Sequence, residues 1–201
     1  MRKIILASKS IDRKEILTKA KIPFSAINSD VDEGTYKKNI TDPIALVKKL
    51  AEIKVLTVKN KIEKDYPDSV IIGADTIVEY GGRIIGKAKD RQEASQILKN
   101  LSGNTHNLIT GIAIAESSSE KLITSYDTTS VEFLPLSDDD INHYINSNEW
   151  KGRAGAYSLR EKASLIVASI NGSSSNVLGL PMQKLFEILK KEFNLNLLSM
   201  N

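Results

Sequence analysis

The sequence predicts an α/β fold, either as one compact domain or as two closely joined lobes. Short apolar runs typical of buried strands alternate with longer segments whose apolar residues recur at helical spacing. The 201 residues suffice for a full hydrophobic core, because a chain of about this length buries roughly 70% of its unfolded surface. No repeat or linker interrupts the pattern, so we expect a single domain spanning residues 1–201.

The composition excludes several classes of protein. With 41% hydrophobic and 26% charged residues, the chain is typical of a globular protein and not of a disordered one. It has no cysteine, which excludes disulfides, a thiol nucleophile and Cys-ligated metals. The 28 basic and 25 acidic residues nearly cancel, so we expect no nucleic-acid partner. No segment approaches the ~20 apolar residues that span a membrane, so we expect a cytoplasmic protein without membrane association.

Secondary structure follows from periodicity and from capping residues. Asp42 before Pro43 predicts a helix start, and Gly81-Gly82 predicts a two-residue hairpin turn. The predicted strands are 4–7, 24–27, 70–72, 76–78, 83–85, 108–115, 122–134 and 164–170. The predicted helices are 11–22, 42–61, 90–103, a short one capped by Ser137 and a final one from Pro181, with an acidic turn at 30–34, a glycine-containing loop at 152–157 and a polar turn at 172–176.

A candidate anion pocket lies between the first predicted strand and the first predicted helix. Backbone N–H groups at a helix start point towards one spot and are reinforced by the helix dipole, which makes Ser8 and Ser10 candidate binding residues. Arg13 lies in the first turn of the predicted helix, where a positive charge is unfavourable unless an anion is bound nearby. The alternative is that Ser10 is a simple N-cap and Arg13 a surface charge.

Asp75 interrupts the otherwise apolar run 70–78, where an unpaired carboxylate would be costly to bury. The carboxylate therefore needs a partner. The candidates are a divalent cation, Lys54, Lys87 or backbone donors at a strand end. A structural role for Asp75 in a capped turn is the alternative to a catalytic one.

Three further charged residues have two interpretations each. Lys54 lies on the apolar stripe of the predicted helix 42–61, so it either meets an internal anion or extends to the surface. Lys87 either reaches a phosphate or is an exposed turn residue. Glu33 lies in the acidic turn 30–34, which either holds magnesium or manganese through carboxylate oxygens or is simply solvated.

Six motifs follow one another in an order and spacing that cover nearly the whole chain, and together they resemble the Maf family. One of them contains His106, which by itself is more typical of a core or hairpin histidine than of a ligand. The motifs are Leu6-Ala-Ser-Lys-Ser10 with Arg13, Gly73-Ala-Asp-Thr76, Leu101-Ser-Gly103 with His106, Thr110-Gly111, Gly152-Arg-Ala-Gly-Ala-Tyr157 and Asn176-Val-Leu-Gly-Leu-Pro181.

The resemblance implies a fold similar to that of the inosine triphosphate pyrophosphatases, with a mixed twisted sheet, flanking helices and two lobes around a cleft. It implies hydrolysis of a nucleoside triphosphate to the monophosphate and pyrophosphate with magnesium or manganese, and it suggests a homodimer. Asp75 matches the proton acceptor, and Arg13, Glu33, Lys54 and Lys87 match residues of the same pocket. Asp75 and Glu33 are the implied metal ligands.

The 152–157 loop resembles the branch of the family that prefers dTTP and UTP, so these are the first expected substrates. Four positions depart from the family pattern. Ile11 and Asp12 stand where the family has proline and arginine, Ala88 replaces a proline, and Arg160 replaces a glutamine linked to pyrimidine preference. With Thr76, Asp12 and Arg160 are the candidate specificity residues. We hypothesise that Asp12 and Arg160 form an ion pair that reshapes the base pocket.

Two other classes of function are alternatives. The history of the family suggests a non-catalytic nucleotide-binding regulator of septum formation or cell division. Intact Asp75, Lys54 and Lys87 favour catalysis, whereas the changes at Asp12 and Arg160 leave room for lost turnover. A nucleic-acid-binding domain is disfavoured by the near-neutral charge and the 5% aromatic content.

Overall fold

The computed structural model describes residues 2–62 and 65–200, and it has the expected mixed α/β architecture. The strands are β1 (Lys3–Leu6), β2 (Ser25–Ala26), β3 (Ser69–Tyr80), β4 (Arg83–Ile85), β5 (Thr105–Glu116), β6 (Leu122–Phe133) and β7 (Val167–Asn171). The helices are α1 (Ile11–Lys19), α2 (Gly34–Asn39), α3 (Pro43–Ile62), α4 (Arg91–Leu101), α5 (Asp138–Asn146), α6 (Ser174–Val177) and α7 (Met182–Glu192). In these described ranges, no helix combines the length and the hydrophobicity of a transmembrane segment.

The strands form one sheet in the order β2-β1-β3-β5-β6-β7, and β4 pairs with β3 outside this order. β1 is parallel to both of its neighbours, since Ile5 pairs with Ser25 of β2 and with Ile71 of β3. β4 is antiparallel to β3, and β7 is antiparallel to β6. The sheet is therefore mixed, as the resemblance implies.

The chain divides into two compact units. The first comprises Met1–Asp75, Thr110–Asp127 and Leu178–Asn201, and the second comprises Thr76–Ile109 and Thr128–Val177. Strands β3, β5 and β6 contribute residues to both units. Two units agree with the two lobes that the resemblance implies, whereas the cleft and the single domain stay predictions.

In the first unit, α3 packs directly against the backbone of β3 and β5. Two glycines permit this approach. A Cβ on Gly73 would lie 2.7 Å from Val55 Cγ2, and a Cβ on Gly111 would lie 2.3 Å from the carbonyl of Val47. A side chain at either position would push the helix away from the sheet, because protein interiors have no spare volume. The cluster buried under α3 consists of Ile5, Ala7, Ala51, Val55, Val58, Ile62, Ile71, Ala113 and Ala115.

Two other buried clusters complete the cores. In the first unit, α1 and α7 contribute Leu17 and Leu185 to a second cluster, which also contains Leu6 of β1 and Ile72 of β3. In the second unit, α4 and α5 pack with residues of β3, β5 and β6. The largest side chains of that cluster are Phe133, Tyr144, Trp150 and Tyr157.

The capping and turn predictions are confirmed. The side chains of Asp42, Asp90 and Ser137 each accept a hydrogen bond from the backbone N–H three residues further on. Gly81 and Gly82 have φ angles of 57° and 76°, the left-handed region that two-residue hairpin turns favour.

Four segments differ from the sequence-based expectation. The runs 70–72 and 76–78 belong to one continuous strand, because Asp75 itself is part of β3. The strand expected at 164–170 begins at Val167, because Lys162–Leu165 form a 3-10 turn. Helix α2 was not predicted, and α6 occupies most of the expected polar turn 172–176.

Gly111→Ala should destabilise the protein strongly, because the added methyl group would overlap the backbone of Val47 in α3. Overpacking typically costs about 1–3 kcal/mol, and overlap with backbone places this variant at the upper end or above. Gly86→Ala is the matched control, since a Cβ there meets no atom within 4 Å. Urea unfolding measures both free energies. Equal destabilisation by the two variants would contradict the packing described here.

Candidate active site

Lys54 is a buried cation in the middle of α3. Its side chain is 11% exposed, and its Nζ lies 2.5 Å from Asp75 Oδ1 and 2.7 Å from Glu33 Oε1. Of the two interpretations of Lys54, contact with an internal anion is therefore correct. The same contacts identify Lys54 as the partner that the carboxylate of Asp75 requires.

Asp75 is placed by the alternation of side chains along β3. Ile71, Gly73 and Asp75 are two residues apart and share the face on which α3 packs. Because Gly73 has no side chain, α3 lies close enough for Lys54 to reach the carboxylate. Asp75 is only 7% exposed, and breaking a buried ion pair by removing one partner typically costs about 3–5 kcal/mol.

Glu33 directly precedes α2 and bridges two lysines. Its Oε1 accepts from Lys54 Nζ at 2.7 Å, and its Oε2 accepts from Lys37 Nζ at 2.5 Å. Burial acts to raise the pKa of Glu33, but the charges and hydrogen bonds of Lys54 and Lys37 outweigh it and lower the pKa to about 2. Glu33 is therefore a carboxylate throughout the physiological pH range and is more than a solvated turn charge.

The segment before α1 supplies fewer free backbone donors than the sequence suggested. The N–H of Ser8 donates to the carbonyl of Leu6 at 2.9 Å, and the N–H of Ser10 donates to Ser8 Oγ at 3.2 Å. Ser10 is the N-cap of α1. Among the hydrogen bonds of the described residues, the N–H groups of Lys9 and Ile11 have no acceptor. The expected anion pocket would therefore draw on these two N–H groups, because local acceptors already occupy those of the serines.

Arg13 is held by a backbone carbonyl and by a serine. Its Nε donates to the carbonyl of Gly179 at 2.7 Å, and its Nη1 donates to Ser8 Oγ at 3.3 Å. Burial lowers the pKa of Arg13, while the nearby carboxylates of Asp75 and Glu33 act to raise it. Arg13 is therefore a positioned cation near the two carboxylates that contact Lys54, and not a surface charge.

The structure gathers most of the predicted site residues in the first unit. Asp12 is in this unit and buried, whereas Thr76, Lys87 and Arg160 belong to the second unit. The hypothesised pair of Asp12 and Arg160 stays a prediction. The residues brought together in the first unit are Ser8, Ser10, Arg13, Glu33, Lys54 and Asp75.

Sequence reasoning missed two groups at this site. Lys37 contacts Glu33 from four residues further along the chain. This spacing predicts a contact where the chain is helical, and no helix was predicted there. The carbonyl of Gly179 is a backbone acceptor, so no side-chain pattern could have shown that it holds Arg13.

The carboxylates of Asp75 and Glu33 converge, since both contact the same ammonium group. Within residues 2–62 and 65–200, no group of three or more His, Cys, Asp or Glu side chains could hold a metal ion. Magnesium, however, usually binds one or two carboxylates together with substrate phosphates. Asp75 and Glu33 therefore fit a divalent cation that is held jointly with phosphate oxygens.

In the metal-free protein, Glu33 should contribute to stability over a defined acidic range. Its ionised form stabilises the fold fully above the ordinary pKa of 4.5, and this contribution is lost as the pH falls towards the folded-state pKa of about 2. The difference in free energy of unfolding between the wild type and Glu33→Gln should therefore shrink as the pH falls through this range. Denaturant unfolding at each pH measures it, and a constant difference would contradict the ion pairs.

Lys37→Met should narrow the pH range over which Glu33 loses its contribution to stability. Glu33 then keeps only one of its two cations, so its pKa in the folded protein rises towards 4.5. Carbon-13 NMR titration of the carboxyl group measures this pKa directly. Lys38→Met is the control, since Lys38 lies on the same helix, is exposed and forms no ion pair with any described residue.

Comparison with known proteins identifies the family of this chain. The model of the family described as Maf-like protein matches residues 3–192. A dTTP/UTP pyrophosphatase of Alkaliphilus oremlandii is 45% identical over 198 residues, which cover 98% of this chain and 100% of the relative. Proteins of the same name from Alkaliphilus metalliredigens and Thermoanaerobacter sp. are 43% and 40% identical, again over 98% of this chain and 100% of each relative. The chain belongs to the Maf-like protein family.

Proposed function

We propose that this protein is a nucleoside triphosphate pyrophosphatase, which hydrolyses its substrate to the monophosphate and pyrophosphate. The observation that carries the proposal is Asp75, a buried carboxylate fixed by Lys54 and surrounded by the charges of Glu33 and Arg13. Membership of the Maf-like family supports it, as do relatives of nearly equal length that are named dTTP/UTP pyrophosphatase.

Asp75 acts as the general base in this proposal. Lys54 donates to Oδ1 of the carboxylate, which fixes its orientation and leaves Oδ2 to accept a proton from water. The water oxygen attacks the α-phosphorus, its proton passes to Asp75, and the bond from the α-phosphorus to the bridging oxygen breaks. Pyrophosphate leaves with the electrons of that bond. General base catalysis of this kind typically contributes about 10²–10⁴-fold.

The cations of the site stabilise the negative charge that builds on the leaving pyrophosphate. Arg13 and Lys54 are held in place by the contacts described above, and Lys87 is an exposed cation of the second unit. The N–H groups of Lys9 and Ile11 are further donors. Removing one positioned donor from such a site typically costs about 2.7–4 kcal/mol of transition-state stabilisation.

A divalent cation, magnesium or manganese, is part of the proposal. Asp75 and Glu33 would hold it together with phosphate oxygens, and when bound it supplies Lewis-acid neutralisation of phosphate charge. Glu33 would then exchange part of its contact with the two lysines for the metal.

The first proposed substrates are dTTP and UTP, the nucleotides in the names of the relatives. Asp12, Thr76 and Arg160 are the proposed specificity residues. We also propose a cytoplasmic location, where nucleoside triphosphates are made and used, and a homodimeric assembly. A non-catalytic regulator of cell division is not favoured, because the relatives are named as pyrophosphatases.

Asp75→Asn should lower kcat for pyrophosphate release by about 10²-fold or more, because an amide cannot accept the proton of water. The measurement is release of pyrophosphate from a panel of ordinary and modified triphosphates with magnesium or manganese. Asp68→Asn is the control, since Asp68 lies next to the start of β3 and its side chain is 74% exposed. Equal turnover by Asp75→Asn and the wild type would remove Asp75 from the mechanism.

If Asp12 and Arg160 form the hypothesised ion pair, their effects on base preference should be coupled. The ratio of kcat/KM for dTTP to that for ATP is measured in Asp12→Asn, in Arg160→Gln and in the double variant. Contact predicts that the double variant departs from the product of the single effects, because either change alone already breaks the pair. Independent effects would show that the two residues do not touch.

A further inference from the structure

Lys87 has no side-chain anchor among the described residues. It is exposed and forms no ion pair with them, and β4 already ends at Ile85. Its backbone is instead attached to the segment 152–157. Lys87 forms an isolated antiparallel bridge with Ala154, and the N–H of Gly155 donates to the carbonyl of Gly86 at 3.1 Å. The place of Lys87 in the second unit therefore depends on the conformation of segment 152–157.

Segment 152–157 has a closely packed backbone with three residues in the left-handed region. Gly152, Gly155 and Ala156 have φ angles of 72°, 67° and 60°. A Cβ on Gly155 would lie 2.7 Å from Val78 Cγ2, so the segment lies directly against β3. A non-glycine residue such as Ala156 keeps a left-handed conformation only where the surrounding structure holds it there.

The anchor at the end of the segment is a buried hydrogen bond between two rings. The hydroxyl group of Tyr157 lies 2.7 Å from Nε2 of His106, and the two residues are 4% and 1% exposed. Phe133 packs edge-on against both, with ring centroids 4.8 Å from Tyr157 and 4.9 Å from His106. Burial lowers the pKa of His106 to about 4 and raises the pKa of Tyr157 well above its usual value. Both rings are therefore neutral at physiological pH.

Stability alone does not account for a polar pair in this apolar cluster. Two apolar rings of similar shape can replace a buried hydrogen bond at little or no cost. In the described structure, Nδ1 of His106 also has no hydrogen-bond partner, which itself is unfavourable. What a hydrogen bond adds over apolar contact is direction. It fixes the position of the Tyr157 hydroxyl group and, through the side chain, the backbone that precedes Tyr157.

We propose that His106 and Tyr157 are a positioning pair, whose hydrogen bond fixes segment 152–157 and thereby the backbone of Lys87. The proposal rests on the proposed function only for the role of Lys87 towards the leaving pyrophosphate. Neither His106 nor Tyr157 needs to touch the substrate. The pair acts through the bond from Gly155 to Gly86 and the bridge of Ala154 to Lys87.

The first test uses Tyr157→Phe, which keeps the ring and removes only the hydroxyl group. The backbone N–H of Gly155 should exchange with solvent about tenfold faster, because its bond to Gly86 opens more often. Turnover of dTTP should fall about tenfold or more, because small misplacements of a catalytic group have effects of this size. Tyr80→Phe is the matched control, since Tyr80 packs on the same cluster and its hydroxyl group has no hydrogen bond to a described residue. An unchanged exchange rate in Tyr157→Phe would overturn the proposal.

The second test separates positioning from stability. Tyr157→Phe alone should lower the melting temperature by about 2–8 °C, because His106 loses its partner. The double variant His106→Leu with Tyr157→Phe should recover most of this loss, because no buried polar group is left unpaired. Exchange at Gly155 and turnover should stay impaired. Recovery of turnover together with the melting temperature would show a merely structural pair and overturn the proposal.

The third test asks whether the pair acts through Lys87. In a Lys87→Met background, Tyr157→Phe should have little further effect on kcat, because the group that it positions is already gone. The same fold-reduction with and without Lys87 would overturn the proposal. If the wild type releases no pyrophosphate from any triphosphate, the proposed function fails. The exchange rate at Gly155 then still decides whether the pair holds this segment.

Discussion

Two charges, one from α3 and one from β3, meet inside the first unit, and apolar packing places both. Gly73 and Asp75 share one face of β3, while Ala51, Lys54 and Val55 share one face of α3. At Gly73 the strand has no side chain, so α3 comes close. Two residues further along β3, the carboxylate of Asp75 meets the ammonium group of Lys54. The spacing of glycine and aspartate in this motif is thus a packing requirement as well as a chemical one.

The charged groups at the pair of Lys54 and Asp75 include more cations than anions. Asp75 and Glu33 are surrounded by the cations of Lys54, Lys37 and Arg13, so positive charge exceeds negative charge by one. Without the carboxylates, three neighbouring cations would repel one another. With them this repulsion is offset, and the remaining positive charge suits the polyanionic substrate of the proposed function. The low pKa of Glu33 depends on Lys54 and Lys37. In the proposed function a phosphate would contact the same lysines, so the pKa of Glu33 would change when the substrate binds.

The sequence anticipated the centre of the site because two residues broke a pattern. Lys54 on an apolar stripe and Asp75 in an apolar strand are each unfavourable alone, and their pairing resolves both. The caps of α3, α4 and α5 were equally readable, because each depends on residues three positions apart. The single-domain expectation rested on length and on the absence of a repeat or linker, and it stays a prediction.

Other features depend on contacts that local sequence does not encode. Helix α2 has six residues and buries none of them, so it lacks the periodicity that predicts helices. His106 is correctly read as a core residue, but its partner Tyr157 lies 51 residues away. The N–H groups at Ser8 and Ser10 were expected to be free, since helix starts usually leave donors unpaired. Short-range acceptors in the same segment occupy them instead.

The ion pairs of the site differ in burial, so substitutions in them differ in their cost to stability. Removing one partner of the Lys54–Asp75 pair leaves a charge in the core and costs stability as well as chemistry. The partly exposed pair of Lys37 and Glu33 contributes less to stability, because solvent screens it in part. The departures that the family resemblance indicates are Ile11, Asp12, Ala88 and Arg160, none of which belongs to the central pair. Asp12 and Arg160, the proposed specificity residues, belong to neither α3 nor β3. A change at either position can therefore leave the packing that places Lys54 and Asp75 as it is.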